Sequence, residues 1–359
     1  MLTPYGKNLK LYIEGGSHDE KIEMFLEGFP EGFHIDEEKL YALMQRRAPG
    51  KNQWSTPRKE KDMPVFQSGI QDGVTTNKPI HAVIYNSNQH SSDYSFIYDT
   101  PRPSHADYAA LVKYAGQVDL RGGGHFSGRL TALICVAGGI CLQYLEERGI
   151  NIFSHIYSIG DKTDAAFDAT QICIEEAMKV KEKEFPVLDD SKAEAMKALI
   201  QEAREDGDSV GGIVECCITG LPVGLGEHLF AGVESRIASM MYSIPAVKAV
   251  EFGLGFGSTK IRGSVNNDAM YYDGDTVKTR TNNCGGITGG MTNGMPVIFK
   301  VGFKPTPSIA KEQDTVSLVN KVNTKLSIKG RHDPCIVARA VPVTEAAAAI
   351  VICDMLLDK

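Results

Sequence analysis

The stretch Arg121-Gly122-Gly123-Gly124-His125-Phe126-Ser127-Gly128-Arg129-Leu130-Thr131 decides how the rest of the chain is read. Three successive glycines let backbone approach a ligand closely, because no Cβ intervenes and positive φ carries no penalty. An apolar run follows from Leu133 to Leu145, so the loop is predicted to open a helix over residues 129–147. The unbonded N–H groups and positive dipole end of that helix would face an anion, with Arg121 and Arg129 as flanking charges. Read in isolation, the stretch is equally a glycine-rich turn with incidental arginines.

Outward from this loop, two sets of markers recur in the same order. Gly28-Phe29-Pro30-Glu31-Gly32 and Gly220-Leu221-Pro222-Val223-Gly224 each precede a helical pattern, ending near Met44 and Met241. Gly69-Ile70, Gly73, Thr75 and Pro79 return at identical offsets as Gly286-Ile287, Gly290, Thr292 and Pro296. Strand-like runs follow both, at residues 80–85 and 297–301. The pattern predicts one large α+β domain with an internal duplication, its pseudo-repeats roughly 1–150 and 210–359, joined by a helical segment. Chance recurrence of Gly-Pro turn chemistry is the competing explanation.

Other elements follow from local signals. Strands are expected at 9–13, 22–26, 213–219 and 250–256. A helix should start at Asp36 or Glu37 and stop at Ala48-Pro49-Gly50. The middle reads as helical over 163–183 and 190–206, and a last helix over 344–357. Residues 51–62 and 86–110 read as loops.

With 359 residues, 38 Lys+Arg and 45 Asp+Glu, the net charge is −7. No broad basic face is implied, which argues against nucleic acid as a partner, and an anionic ligand must be held by local arginine clusters. The eight cysteines form no CxxC pair and no metal-ligand spacing, and several lie in apolar runs where thiols behave as small hydrophobes. Met1–Lys10 lacks a signal-peptide core, and no apolar stretch is read as a membrane span, so the expected compartment is the cytoplasm.

His18, His105, His125 and His332 all lie in Gly- or Pro-punctuated loops, as do Arg46, Arg47, Arg102, Arg121, Arg129, Arg331 and Arg339. A lone loop histidine is usually just solvated; four beside Gly, Ser or Arg are better explained by convergence on one site. Histidine exchanges protons near neutral pH, and guanidinium groups bind phosphate or carboxylate in bidentate fashion. No GxxxxGK[ST] loop occurs, neither glycine-rich string forms GxGxxG in a strand-turn-helix context, and Ser127 stands one position off a GxSxG nucleophile elbow.

The ordered islands resemble the chorismate synthase family from near the start of the chain to its last helix. The family's Gly-Glu-Ser-His-Gly turn corresponds to Gly15-Gly16-Ser17-His18-Asp19, and its Arg-Arg-Arg-Pro-Gly to Arg46-Arg47-Ala48-Pro49-Gly50. Its Arg-Pro-Gly-His-Ala-Asp-Tyr matches Arg102 to Tyr108, and its Arg-Gly-Gly-Gly-Arg-Ser-Ser-Ala-Arg-Glu-Thr matches Arg121 to Thr131. Ser243 to Lys248, Thr281 to Gly290, Lys304 to Ser308 and Gly330 to Cys335 complete the order.

The resemblance implies helices sandwiched between antiparallel sheets, and a homotetramer. It implies 1,4-anti elimination of phosphate from 5-enolpyruvylshikimate 3-phosphate, dependent on reduced FMN without net redox change. By resemblance, His18 serves the departing phosphate, His105 the reduced flavin, and Asp333 the flavin N5. FMN contacts are expected from His125, Phe126, Ser127, Pro245, Ala246, Gly289, Lys304, Pro305, Thr306, Pro307, Ser308 and Arg331. Arg47, Arg129 and Arg339 are expected to hold substrate anions. Departures are Gly16, Asp19, Ala48, Gln53, His125, Phe126 and Leu130; the loss of arginine at Gln53 weakens the inference of direct NADPH binding. NADPH then enters only as an indirect reductant, with an external flavin reductase as partner. A flavin-binding homologue without turnover is the alternative.

Overall fold

A computed structural model of the chain describes residues 3–50, 54, 62–86, 96–328 and 333–358. The chain begins with β1 (Lys10–Glu14) and β2 (Lys21–Glu27), in which Ile22, Met24 and Leu26 alternate inward. Helix α1 (Glu37–Arg47) is set by local chemistry: the Asp36 carboxylate accepts the Lys39 N–H, two glutamates fill the first turn, and two arginines the last. Strand β3 (Val65–Ser68), the small hairpin β4 (Ile70–Gln71) and β5 (Val74–Thr75), and β6 (Ile80–Tyr85) follow. They complete an antiparallel sheet of order β1-β2-β6-β3. Helix α2 (Asp107–Lys113) precedes the glycine loop, and α3 (Thr131–Glu146) follows it.

Next comes β7 (Asn151–Ile159), a strand that the helical reading of the middle leaves out. It carries the edge ribbon β8 (Lys162–Thr163). Beyond it, the helix expected over 163–183 is confined to α4 (Ile174–Glu182). Asp164 instead accepts the N–H groups of Leu188 and Asp189 and pairs with buried His155, and Asp168 caps a turn at Thr170. Such side-chain bonds compete with helix formation. Helix α5 (Asp190–Glu205), β9 (Gly212–Thr219), α6 (Val233–Ser243) and β10 (Val247–Phe252) come next. Strand β10 ends earlier than expected, at the turn of Gly253. Then follow the one-turn α7 (Gly263–Asn266), the hairpin β11 (Met270–Asp273)–β12 (Thr276–Thr279), the hairpin β13 (Ile287–Thr288)–β14 (Met291–Thr292), and β15 (Val297–Phe303). A ribbon of β16 (Gln313–Ser317) and β17 (Val322–Leu326) leads to α8 (Val337–Leu356). Helix α8 starts seven residues before the expected Thr344 and contains Pro342; burial along nearly its whole length offsets the backbone bond that proline removes.

The second sheet has the order β10-β15-β9-β7-β8. Apart from the edge strand β8, this repeats the first sheet position for position, with β7, β9, β10 and β15 in place of β1, β2, β3 and β6. The turns agree atom for atom. Thr75 Oγ1 accepts the Phe33 N–H at 2.9 Å and donates to the Pro30 carbonyl at 2.7 Å; Thr292 Oγ1 does the same with Leu225 at 2.9 Å and Pro222 at 2.6 Å. Gly28 and Gly220 have φ of 79° and 80°, and a Cβ at either would lie 2.1 Å from a carbonyl oxygen.

The fold is α+β, with helices between two antiparallel sheets. Helix α3 packs toward the first sheet and α8 toward the second, and the two helices pack on each other. The apolar stretch Gly128–Glu146 is long enough to cross a membrane, contrary to the sequence expectation, yet 83% of it is buried inside the protein. At the helix crossing, a Cβ on Gly138 would lie 2.3 Å from the Ala346 carbonyl oxygen and 2.5 Å from its Cα. A Cβ on Gly139 would instead meet the movable tips of Leu40 and Leu43, at 2.6 and 3.0 Å. Gly138→Ala should therefore cost about 1–3 kcal/mol or more, since backbone cannot yield cheaply, and Gly139→Ala less. Urea denaturation of both variants checks this; equal costs would refute it.

Candidate active site

The glycine loop is held on the turn of residues 15–18. Gly122, Gly123 and Gly124 have φ of 60°, 106° and 51°, conformations open chiefly to glycine. The Ser17 N–H donates to the Gly124 carbonyl at 3.2 Å, the Ser17 hydroxyl to the Arg121 carbonyl at 3.0 Å, and His125 Nδ1–H to the Gly15 carbonyl at 2.8 Å. With the only Ser17 hydroxyl proton committed, the 3.2 Å contact to His18 must be donated by His18 Nδ1–H. His18 is buried, and a Cβ on Gly122 would lie 2.1 Å from its ring. The loop is thus shaped around this histidine.

His105 belongs to a second group. Its Nδ1 lies 2.5 Å from the Asp107 carboxylate, which is fully buried and also accepts Arg102 Nε at 2.7 Å and Nη2 at 2.8 Å. Arg102 Nη2 also lies 3.1 Å from His105 Nδ1. Because the ring proton there goes to Asp107, that second approach is a contact rather than a bond. Burial acts to raise the Asp107 carboxyl, but Arg102 and then His105 overrule it and hold it far below the usual carboxylate range. The His105 ring is thereby oriented with Nε2 toward the glycine loop, 3.5 Å from where a Cβ of Gly123 would be.

Lys304 joins this group to β10. Its N–H donates to the Ala246 carbonyl and its Nζ to the Ser104 carbonyl, both at 3.0 Å. Ala246 and Ser104 are non-glycine residues at positive φ, 75° and 57°. Backbone strain of this kind persists only where surrounding structure enforces it. Arg102 Nη1 donates to Ser308 Oγ at 3.2 Å, and Thr306 Oγ1 to the Asp333 carbonyl at 2.8 Å. The segment Lys304 to Ser308 therefore spans from His105 to Asp333.

Three arginines make the third group, at the mouths of α1, α3 and α8. Asp62 accepts Arg47 Nη1 at 2.6 Å and forms a close ion pair with Arg129. Burial would raise the Asp62 carboxyl, yet Arg47 and then Arg129 hold it below its ordinary value. Arg47 Nη2 donates to the Gly128 carbonyl at 3.0 Å. Arg339 Nε donates to the Arg47 carbonyl at 3.1 Å, and its Nη1 to the Asp333 carboxylate at 2.6 Å. Asp333 is thus paired with Arg339. Arg331, His332 and Gln53 lie outside the described residues.

Other expected contacts are placed less centrally. Arg121 is paired with Asp119 at 2.6 Å. Phe126, half-buried, packs against the small cluster of Ile97, Ala110 and Leu120. Ser127 Oγ accepts the Arg129 N–H at the entry to α3. Gly289 sits in the turn of the β13–β14 hairpin, which bonds to the 225–233 segment, and no hydrogen bond among the described residues joins it to the groups above. Sequence reasoning missed the two orienting carboxylates. Asp107 was visible within the Arg102–Tyr108 island, whereas Asp62 carried no signal at the end of a polar stretch.

The donor set suits a phosphate-bearing ligand. Lys304 and Lys248 line one open groove with Ser209 and Pro305, and burial, then the Lys248 charge, push the Lys304 amine below its usual value. An anion between two such lysines would relieve that repulsion. Ala246 is tied to the same groove by its bond with the Lys304 N–H.

A sequence profile described as chorismate synthase matches residues 9–357. Chorismate synthase of Dehalococcoides mccartyi is 41% identical over 357 residues, covering 99% of this chain and 97% of that protein. The Pyrococcus abyssi chorismate synthase is 44% identical over 355 residues, covering 98% and 97%. A crystal structure of a chorismate synthase superposes with a TM-score of 0.77 at 30% identity, covering 98% of this chain and 93% of that one. Matched in sequence and fold across nearly its whole length, the chain belongs to the chorismate synthase family.

Proposed function

We propose that this protein is a chorismate synthase, a lyase that converts 5-enolpyruvylshikimate 3-phosphate to chorismate. The C–O bond to phosphate breaks with its electron pair leaving on the phosphate. A ring C–H is lost in the 1,4-anti sense, and its electrons enter the new double bond, so there is no net redox change. The reading rests on the meeting of His18, His105, Asp333 and three arginines around the loops that enter α3 and α8, in a chain of this family.

Reduced FMN, when bound, supplies an electron-rich ring that assists phosphate departure and loss of the ring hydrogen. Lys304 with Lys248 would hold its phosphate, aided by the Pro245–Ala246 turn, the backbone of His125, Phe126 and Ser127, and Pro305 to Ser308. Gly289 and Arg331 enter this list by family likeness alone. Arg47, Arg129 and Arg339 would bind the substrate's phosphate and carboxylates. His18, held by Ser17, would present a proton from Nε2 to the departing phosphate. His105, fixed through Nδ1 by Asp107, would offer Nε2 to the reduced cofactor, and Asp333, steadied by Arg339, would handle the proton from the ring. The two halves of the chain would be pseudo-repeats within one domain, assembled as a cytoplasmic homotetramer. Reduction of FMN would fall to an external reductase, with NADPH acting only through it.

Anaerobic turnover with photoreduced FMN and stoichiometric phosphate release is the expected result. FMN binding without phosphate release would establish the alternative, a flavin-binding homologue. Arg129→Ala should weaken substrate binding by 1.5–3 kcal/mol, on the order of a lost charge-assisted contact, and FMN binding much less. Calorimetry showing equal losses would count against separate anion seats. Asp333→Asn should fold and bind FMN nearly normally while turnover falls by roughly 10²–10⁴-fold, the usual range for a lost acid–base group. Turnover within a few-fold of wild type would reduce Asp333 to a partner of Arg339.

A further inference from the structure

The turn that carries His18 departs from the family pattern at two positions at once, Gly16 for glutamate and Asp19 for glycine. The structure joins them. The Gly16 N–H donates to the Asp19 carboxylate at 2.6 Å, and the Asp19 N–H donates back to the Gly16 carbonyl at 3.2 Å. Asn86 Nδ2 donates to the Asp19 carbonyl at 2.8 Å and approaches the Gly16 carbonyl at 3.4 Å. Ser17 and His18 lie inside the loop so closed, facing the glycines. Gly16, unlike Gly15, is not at positive φ, so its backbone would accept any side chain. What a side chain would disturb is the Asp19 carboxylate: a Cβ there would lie 3.2 Å from Asp19 Oδ2 and 3.5 Å from Cγ, so the carboxylate that accepts the Gly16 N–H would have to move by a few tenths of an ångström. A carboxylate at position 16 would in addition set two like charges side by side.

We propose that Asp19 is a positioning residue for His18, that Gly16 is the space it requires, and that the two positions function as one unit. This rests on the elimination reading, in which His18 serves the departing phosphate. The turn closed by Asp19 fixes the register of Ser17, whose hydroxyl receives His18 Nδ1–H. Without the carboxylate the Gly16 N–H loses its partner and the turn opens toward solvent.

Four variants test it: Asp19→Ala, Asp19→Asn, Gly16→Glu, and Gly16→Glu with Asp19→Gly, which restores the family arrangement. Melting temperature and FMN affinity are measured alongside kcat, KM and the site-resolved rate of His18 modification by diethyl pyrocarbonate. Asp19→Ala should lower kcat about tenfold with KM changed less, as expected for a misplaced catalytic group. It should speed His18 modification about tenfold through local opening. Asp19→Asn, whose amide oxygen still accepts the Gly16 N–H, should fall between Asp19→Ala and wild type in both readouts. Gly16→Glu should cost about tenfold in kcat alone but less than about threefold when Asp19 is glycine. Additive losses in the double variant, or unchanged His18 modification in Asp19→Ala, would overturn the proposal. Absence of turnover in the wild type would defeat the elimination reading instead, and the modification rates would still decide on Asp19.

Discussion

The close crossing of α3 and α8 at Gly138 and Ala346 is the constraint on which the rest of the structure depends. Both helices are buried over nearly their full lengths, so neither can satisfy its apolar surface except against the other and the sheets. Glycine in a helix interior costs about 1 kcal/mol relative to alanine. Here two in succession are spent on approach distance, Gly138 toward α8 and Gly139 toward α1. The crossing fixes where the two helices begin, and the loops that enter them carry the glycine run and Asp333. A shift of a few tenths of an ångström between the helices would be passed directly to Arg129 and Arg339.

Around the mouths of these helices, buried charge is compensated residue by residue. Arg47 and Arg129 share Asp62, Arg102 and His105 share Asp107, and Arg339 takes Asp333. Buried charges left unpaired would cost several kcal/mol each, so such pairing is the condition for keeping arginines inside at all. It also means that an anion bound as proposed above would not meet bare guanidinium groups but donors already aimed and partly engaged, and would gain from orientation more than from raw charge. Arg46 illustrates the opposite fate: adjacent to Arg47, it points into the core and is spent on Glu345 at 2.7 Å.

Much of this was legible in the sequence because it is written in short-range signals. The helix entry after Ser127, the cap at Asp36, the paired Gly-Pro turns and the strands they bound are each determined by a few neighbouring residues. The histidine and arginine islands likewise announced a site. What was not legible depends on partners far along the chain. Strand β7 reads as apolar and aromatic without helical or strand alternation, since it is buried on both faces, and α4 begins late because Asp164 is claimed by His155 and by the N–H groups of Leu188 and Asp189. Pro342 pointed away from a helix that tertiary burial nonetheless imposes. Asp62 gave no sign of its role, because a lone acid in a polar stretch acquires meaning only when two arginines from other elements close on it.

The matched turns at Thr75 and Thr292 and the shared strand order describe two copies of one plan, yet the loops that enter α3 and α8 meet at a single place, linked through Arg47. Each sheet keeps its own copy of the turn, but the junction of the two entry loops is made once and draws different residues from each side. That removes any need for the two entry loops to stay alike. One could become three glycines wrapped around a histidine, the other an aspartate steadied by arginine, while the turns, each held by its own threonine, kept their common form.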